Sequence, residues 1–520
     1  MNKENGWDAS ASWNGYMYQG KVALLITLKT INDTHDTLRY WLESEGIEDF
    51  SIGFDKKYIS VHQVKNRKDE KLEDYNEALS NIVKRIREYP DIVNGYLHTK
   101  NKILISNWKQ EIKDELLSYY PKKIQQLQQI VEDPKISNIV YTEILEKWNE
   151  NTKQINRNTT EIKKLIIDNI VANNIIKEKE DITIDKFITA SKQILADEKL
   201  NYDFTDKEKA IEKINLYRYP SGNNFADSAN ILNMTLDEIR KYWGVYKKYR
   251  EEKIEIYYIK LLELINDNIT ERAESINKNI RIMFIMFKNI LDLDTASICK
   301  NTKEEELLRL KYLYMKELDD FCTNDICEVK NNINCLDCEL LGISNYILSS
   351  SLIRMEAIFR IMSLHRKGEL TEKGFELFGV SELENTFFAG ITEIDKEFFV
   401  NQCKILCLID NKFMMATTID AEKQGRKKVT IEGLIKNDIQ DACNIIVNNK
   451  ECDTAFMEVD KLLTRNFDTE DVYKEACKIN IITENDDNNK DDLRYMNITK
   501  TKKVGLISIK NAKKKYGERK

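Results

Sequence analysis

The sequence predicts a helix-rich chain with a smaller α/β part toward its N-terminus, and three observations carry that expectation. Glycine and proline are scarce, 17 and 4 in 520 residues, too few to punctuate an all-β sandwich or barrel. All four prolines (Pro90, Pro121, Pro134, Pro220) lie in the first 220 residues. The proline-free remainder suits long helices, in which an interior proline costs ~3 kcal/mol. Between residues 47 and 65, apolar and polar side chains alternate as in paired strands. At ~100–200 residues per domain the chain holds two to four domains.

Taken in order, Tyr16–Ile31 reads as a helix, with Val22, Leu25, Ile26 and Ile31 near helical spacing. Leu38–Leu42 fits a strand or a continuing helix equally. Ile47–Phe54 puts Phe50, Ile52 and Phe54 on one side and Asp49, Ser51 and Gly53 on the other. A polar turn, Asp55-Lys56-Lys57, leads to a second extended run, Tyr58–Lys65, which completes a hairpin pattern. Leu72–Tyr89 looks helical and is stopped by Pro90; within Tyr96–Ser106, Lys102–Ser106 is the expected next strand. Trp108–Tyr202 has helical periodicity. The loop-like Asn201–Asn224, with Pro220-Ser221-Gly222, sets an expected boundary near 225. The resulting division is 1–225, a helical linker or docking region over 226–345, and a mainly helical C-terminal domain over 346–520 that would bind partners. Short extended runs such as Lys404–Ile409 interrupt the last part.

Composition excludes several classes. No apolar run reaches the ~18 residues a membrane span needs, and Met1–Asp8 lacks the apolar core of a signal peptide. Ten cysteines without an export signal are expected to be reduced thiols in a cytoplasmic protein. A net charge of −7 gives no global attraction to nucleic acid, so any such binding needs local basic patches. Glu484–Asp492 carries five acids, and Lys500–Lys520 nine bases against the single acid Glu518; the pair reads as a solvated acidic loop and basic terminus, or as a binding arm. No glycine-rich phosphate loop precedes a lysine, so the chain is not itself a P-loop ATPase.

The stretch that can carry chemistry is Leu42-Glu43-Ser44-Glu45-Gly46-Ile47-Glu48-Asp49, followed by Gln63-Val64-Lys65. With a three-residue hairpin loop, Phe54 pairs with Tyr58, and the same register sets Asp49 opposite Gln63. Cross-strand partners share a face, so Asp49, Gln63 and Lys65 would lie together. A two-residue loop would separate them, because a one-residue slip flips every side chain. A carboxylate and an amide oxygen are hard ligands suited to Mg²⁺ or Mn²⁺ with retained waters. Glu45 has the parity to add a second carboxylate if the strand continues back through Gly46. Lys65 would stand beside the ion, where it can orient water or stabilise charge at phosphorus. His62 faces the other way, beside Phe50 and Val64, and reads as a packing residue; His35, His98 and His365 look isolated.

These residues resemble the PD-(D/E)xK nuclease superfamily, in the variant where glutamine replaces the usual second acid. Gly15-Tyr16-Met17-Tyr18-Gln19, then Glu45–Asp49, then Gln63-Val64-Lys65 are together similar to the double-stranded DNA endonuclease domain of bacterial anti-phage effectors. That domain occurs in nucleases tied to cyclic-oligonucleotide signalling and in the nuclease subunit of Lamassu and related ABC-three-component systems. The resemblance covers roughly residues 10–110. It implies a restriction-endonuclease-like α/β/α core with a mixed sheet. In it Asp49 and Gln63 hold metal, Lys65 is the catalytic lysine, and Glu45 and Gln19 complete the site. It further implies a DNA endonuclease of low sequence selectivity, restrained or triggered by an SMC-like or ABC-type ATPase and a small third subunit in a regulated oligomer. The rest of the chain shows nothing similar to a cyclic-nucleotide sensor, which favours the Lamassu-like branch. The rival expectations are a non-catalytic DNA- or partner-binding adaptor and a stand-alone modification-dependent restriction enzyme.

A second cluster is cysteine. Cys322, Cys327, Cys335 and Cys338 follow the pattern C-x4-C-x7-C-x2-C, which either closes around a structural Zn²⁺ or leaves free buried thiols. Cys403 and Cys407, four apart, are expected in the core. Neither group has a paired histidine, which argues against cysteine-protease chemistry. The aromatics Tyr242, Trp243 and Tyr246 are expected in a core rather than as base-stacking platforms.

Overall fold

A computed structural model describes residues 10–66, 70–149, 154–155, 160–173, 179–201, 207–246, 250–274, 281–323, 344, 346–362, 397–401, 404–409, 412–417, 419, 431–448, 458–464, 468–478 and 502–516. Most of it is helical, with a mixed sheet in the N-terminal part. The chain divides into two units. The first joins Tyr18–Glu238 to Leu264–Lys288; the second joins Ile239–Glu263, Asn289–Lys520 and the residues up to Met17.

The first unit runs α1 (Ser10–Thr34), β1 (Tyr40–Ser44), β2 (Phe50–Phe54), β3 (Lys57–Lys65), α2 (Asn76–Glu88), β4 (Asn94–Thr99), α3 (Trp108–Glu132) and α4 (Pro134–Lys147). A two-residue ribbon, β5 (Trp148–Asn149) and β6 (Gln154–Ile155), then precedes α5 (Glu161–Asn173), α6 (Ile184–Asn201) and α7 (Lys207–Glu212). Strand β7 (Ile214–Leu216), α8 (Ser228–Trp243), which belongs to this unit as far as Glu238, and β8 (Ile282–Met283) follow. The sheet order is β7-β4-β3-β2-β1-β8. Strands β8, β1, β2 and β3 are antiparallel neighbours, and β4 and β7 add on in parallel. The expected boundary at 225 falls inside this unit, because β8 comes from Ile282–Met283.

Two expectations for the sheet are corrected. The β2–β3 turn holds two residues, Asp55 and Lys56, since Phe54 pairs with Lys57. Asp55 takes a left-handed φ of 51°, which a tight hairpin turn demands and aspartate tolerates. The register then shifts between Gly53/Tyr58 and Ile52/Ser60, leaving Ile59 as a bulge. Beside it, a Cβ on Gly53 would stand 1.9 Å from the Trp41 ring, so glycine lets that indole lie across the bulged ribbon. The second correction concerns Lys102–Ser106, which is not a strand; β4 is Asn94–Thr99, in parallel with β3. Ile103 is buried there through packing alone.

Helices cover both faces. On one, Val61 and Leu97 pack with Leu79, Ile82, Ile86, Ile112 and Ile211 from α2, α3 and α7. Gly95 permits the close approach, since a Cβ there would meet Ile82 at 2.2 Å. On the other, Tyr219 is hydrogen-bonded to Tyr18 of α1. Beyond the sheet, α3–α6 enclose a core around Leu127, Ile166, Ile170 and Phe187. In it buried Lys123 lies 2.7 Å from Glu161 and 3.1 Å from Glu198.

In the second unit Trp243 is buried, with its indole N–H donating to the Leu291 carbonyl at 3.1 Å. A five-stranded sheet of order β13-β12-β11-β10-β9 contains β9 (Glu397–Asn401), β10 (Lys404–Ile409), β11 (Lys412–Ala416), β12 (Lys461–Thr464) and β13 (Gly505–Ser508). Strands β9 to β11 are antiparallel; β12 and β13 continue in parallel. Leu406, Met415, Ile446, Leu462 and Val472 form its core. Among the described residues, no helix is long and apolar enough to cross a membrane.

Candidate functional site

Above the bulge, the ribbon returns to the expected register: Ile52 faces Ser60, Ser51 faces Val61 and Phe50 faces His62. Asp49 lies one residue before the strand, and its Oδ2 accepts the Val64 amide at 2.6 Å. Turn and bulge each shift the pairing by one, and the two shifts cancel. Gln63 and Lys65 share the Val61 face, the one covered by α2.

Residues 45–49 do not continue the strand. Glu45 has a φ of 53°, so the parity expected for it through Gly46 is lost, and the segment is a compact turn closed by Glu45 N–H donating to the Asp49 carbonyl at 2.9 Å. Gln19 of α1 clamps this turn: its Nε2 donates to Glu45 Oε1 and, at 2.6 Å, to the Asp49 carbonyl. Gln19 therefore holds the backbone that presents Asp49.

The carboxylate that reaches Gln63 is that of Glu48, which sequence reasoning missed because the turn breaks the strand period. Gln63 Nε2 donates to Glu48 Oε2, while Arg85 of α2 donates through Nε to Glu48 Oε1 at 3.1 Å. Burial pushes Glu48 up to about 7, against the pull of Arg85 and with repulsion from Asp49 adding to it. Half-buried Asp49 is also raised, chiefly by burial of its carboxyl, with Lys65 and the Val64 N–H opposing. No signal in the sequence singles out Arg85 among the bases of α2.

The side chains here that could hold a hard divalent cation are the Gln63 amide and the Asp49 carboxylate. Gln63 is 5% exposed, and among the described residues its Oε1 has no hydrogen-bond partner, an acceptor left open near carboxyls, Glu48 and Asp49, that burial has made costly to ionise. Among the described residues no three His, Cys, Asp or Glu side chains form a metal-binding group, so an ion here would rely on Asp49, the Gln63 amide oxygen and waters.

His62 packs as expected, stacked on Phe50 at 4.3 Å between centroids. His98 is not isolated. Its Nε2 lies 2.9 Å from His62 Nδ1 and its Nδ1 lies 3.1 Å from the Tyr219 hydroxyl. Ser60 Oγ is 2.8 Å from His62 Nε2, and Tyr18 donates to the Ala226 carbonyl at 2.6 Å. The fixed Tyr18 donor orders the line. Tyr219 donates to Tyr18, His98 Nδ1–H to Tyr219, His62 Nδ1–H to His98 and Ser60 to His62, so both imidazoles are neutral. Burial lowers both histidines, His98 to about 3.

Of the cysteine group, Cys322 lies in the helix Thr302–Thr323, and Cys327, Cys335 and Cys338 lie outside the described residues. Cys407 is in β10; Cys403, His365 and the acidic stretch Glu484–Asp492 also fall outside.

Residues 214–467 match the family model described as C-terminal domain 1 of the ABC-three component (ABC-3C) systems. The match supports a protein of an ABC-three-component anti-phage system. Such systems work as multi-component complexes, which is consistent with partner subunits. No curated protein and no solved structure matches the chain. The matched segment opens at β7 and includes β8, the two outer strands of the sheet that carries the site.

Proposed function

We propose that this chain is the nuclease effector of such a system, a metal-dependent endonuclease acting on double-stranded DNA with low sequence selectivity. The observation that supports it most is the amide oxygen of buried Gln63, open among the described residues, on the same sheet face as Lys65 and next to Val64, whose N–H donates to Asp49 Oδ2. In this reading Asp49 and Gln63 hold Mg²⁺ or Mn²⁺, and Glu45, beside them on the turn, is the further acid. The bound ion supplies Lewis acidity at a phosphate and a lowered water pKa. Lys65 offers its ammonium to the scissile phosphate, balancing charge that builds on the phosphoryl oxygens and orienting the attacking water. Gln19 keeps the Glu45–Asp49 turn closed, and α2 excludes bulk water from the Gln63 side. The restraint a cellular nuclease needs would come from an SMC-like or ABC-type ATPase subunit and a small third subunit. A structural zinc at the cysteine cluster stays part of this proposal.

The test uses supercoiled plasmid with Mg²⁺ or Mn²⁺, the full chain, and its partner subunits. Nicking should fall about 10²-fold or more in Lys65→Ala and in Asp49→Ala. Equal behaviour of wild type and both variants, with partners present, would instead leave a non-catalytic adaptor.

A further inference from the structure

We propose that Glu48 is a positioning residue that fixes the side-chain amide of Gln63 with its oxygen turned toward the cation. The inference rests on reading Asp49 and Gln63 as cation ligands. An amide has two ends of nearly equal shape, and only the oxygen can ligate a metal. At a buried position the partners decide which end points where. With Arg85 donating to Oε1, Glu48 presents Oε2 as the acceptor that the Gln63 N–H meets. Oε1 of Gln63 is then turned to the other side, where the described residues provide it no donor.

Glu48 in turn is anchored from a different element. Arg85 takes its other oxygen, Oε1, at 3.1 Å, and continues to Glu88 at 2.7 Å, so α2 sets the plane of the carboxylate that sets the amide. The Glu48 side chain is 4% exposed and that of Arg85 31%, so the relay runs from the surface of α2 to the Gln63 amide. Partners one step behind a metal ligand commonly change metal affinity about 10–100-fold when removed.

The isosteric change Glu48→Gln tests this, because a glutamine at 48 can present N–H or C=O and no longer selects one orientation. Mn²⁺ binding to the full-length protein, read by calorimetry, should weaken about 10-fold or more. In a Gln63→Glu background position 63 offers oxygen in either orientation, so the same Glu48→Gln change should cost nothing. A loss that persists in that background would mean Glu48 ligates the ion itself and would overturn the proposal. Unchanged Mn²⁺ affinity in Glu48→Gln, with Asp49→Ala still weakening it, would overturn the proposal and leave the nuclease reading standing. No Mn²⁺ binding to wild type, or none sensitive to Asp49→Ala, would remove both. Should Glu48→Gln not fold, Arg85→Met, altered at a partly exposed side chain, should show a smaller loss that also vanishes in the Gln63→Glu background.

Discussion

The two faces of the β2–β3–β4 ribbon are built from the same strands and treat polar groups in opposite ways. Toward α1, Ser60, His62, His98, Tyr219 and Tyr18 form one directed line that ends on a main-chain carbonyl. Toward α2, Gln63 Oε1, Ser51 Oγ and Thr99 Oγ1 are buried and, among the described residues, have no hydrogen-bond partner. A buried polar atom without a partner costs about 1–3 kcal/mol, so a fold tolerates several on one face only if something else rewards them. The satisfied face is architecture. The unsatisfied face is where a ligand would restore the missing bonds.

That contrast can be broken by substitution. The largest effect is expected on the closed face from Phe50→Ala, which empties the fully buried ring stacked on His62 and should cost about 3–5 kcal/mol in urea unfolding. Next comes His98→Asn, which interrupts the line and should cost about 1–3 kcal/mol at pH 7. Its pH dependence gives a sharper reading. His98 is held near 3 when folded and returns to about 6.5 when unfolded, so below pH 6.5 the unfolded chain binds a proton the folded one refuses. The stability due to its neutral form is complete above 6.5 and is lost as pH falls toward 3. Over that window the gap between wild type and His98→Asn should therefore narrow. The smallest effect belongs to the open face. Thr99→Val removes a hydroxyl with no partner among the described residues and should leave stability within about 0.5 kcal/mol of wild type, or raise it. A Thr99→Val cost equal to that of His98→Asn would erase the distinction.

The sequence carried the ribbon because Phe50, Ile52 and Phe54 alternate, and through that alternation it carried the pairing of Phe50, Ser51 and Ile52 with His62, Val61 and Ser60. It did not carry the turn length. Tyr58-Ile59-Ser60-Val61 gives no sign that Ile59 is extruded, since an unpaired apolar residue in a ribbon looks like any other. Strand β4 was misplaced because Ile103 and Ile105 alternate as well as Tyr96 and His98 do, and the parallel pairing that chooses between them is a tertiary decision. Glu48 was hidden by the left-handed backbone at Glu45, which cancels the count of two on which strand reasoning depends. His98 looked isolated because its partners, His62 and Tyr219, lie 36 and 121 residues away. Strand β8, two residues long, is too short to have a period.

That short strand has a consequence for anyone dividing the chain. Trp41 and Leu42 pair with Met283 and Ile282, so a fragment stopped at residue 225 would retain Gln19, Glu45, Asp49, Gln63 and Lys65 yet strip the outer rim from β1. Its bared amides and carbonyls would be a template for any extended peptide nearby, another copy of the fragment included. The catalytic-looking half, isolated for convenience, would be the sticky half.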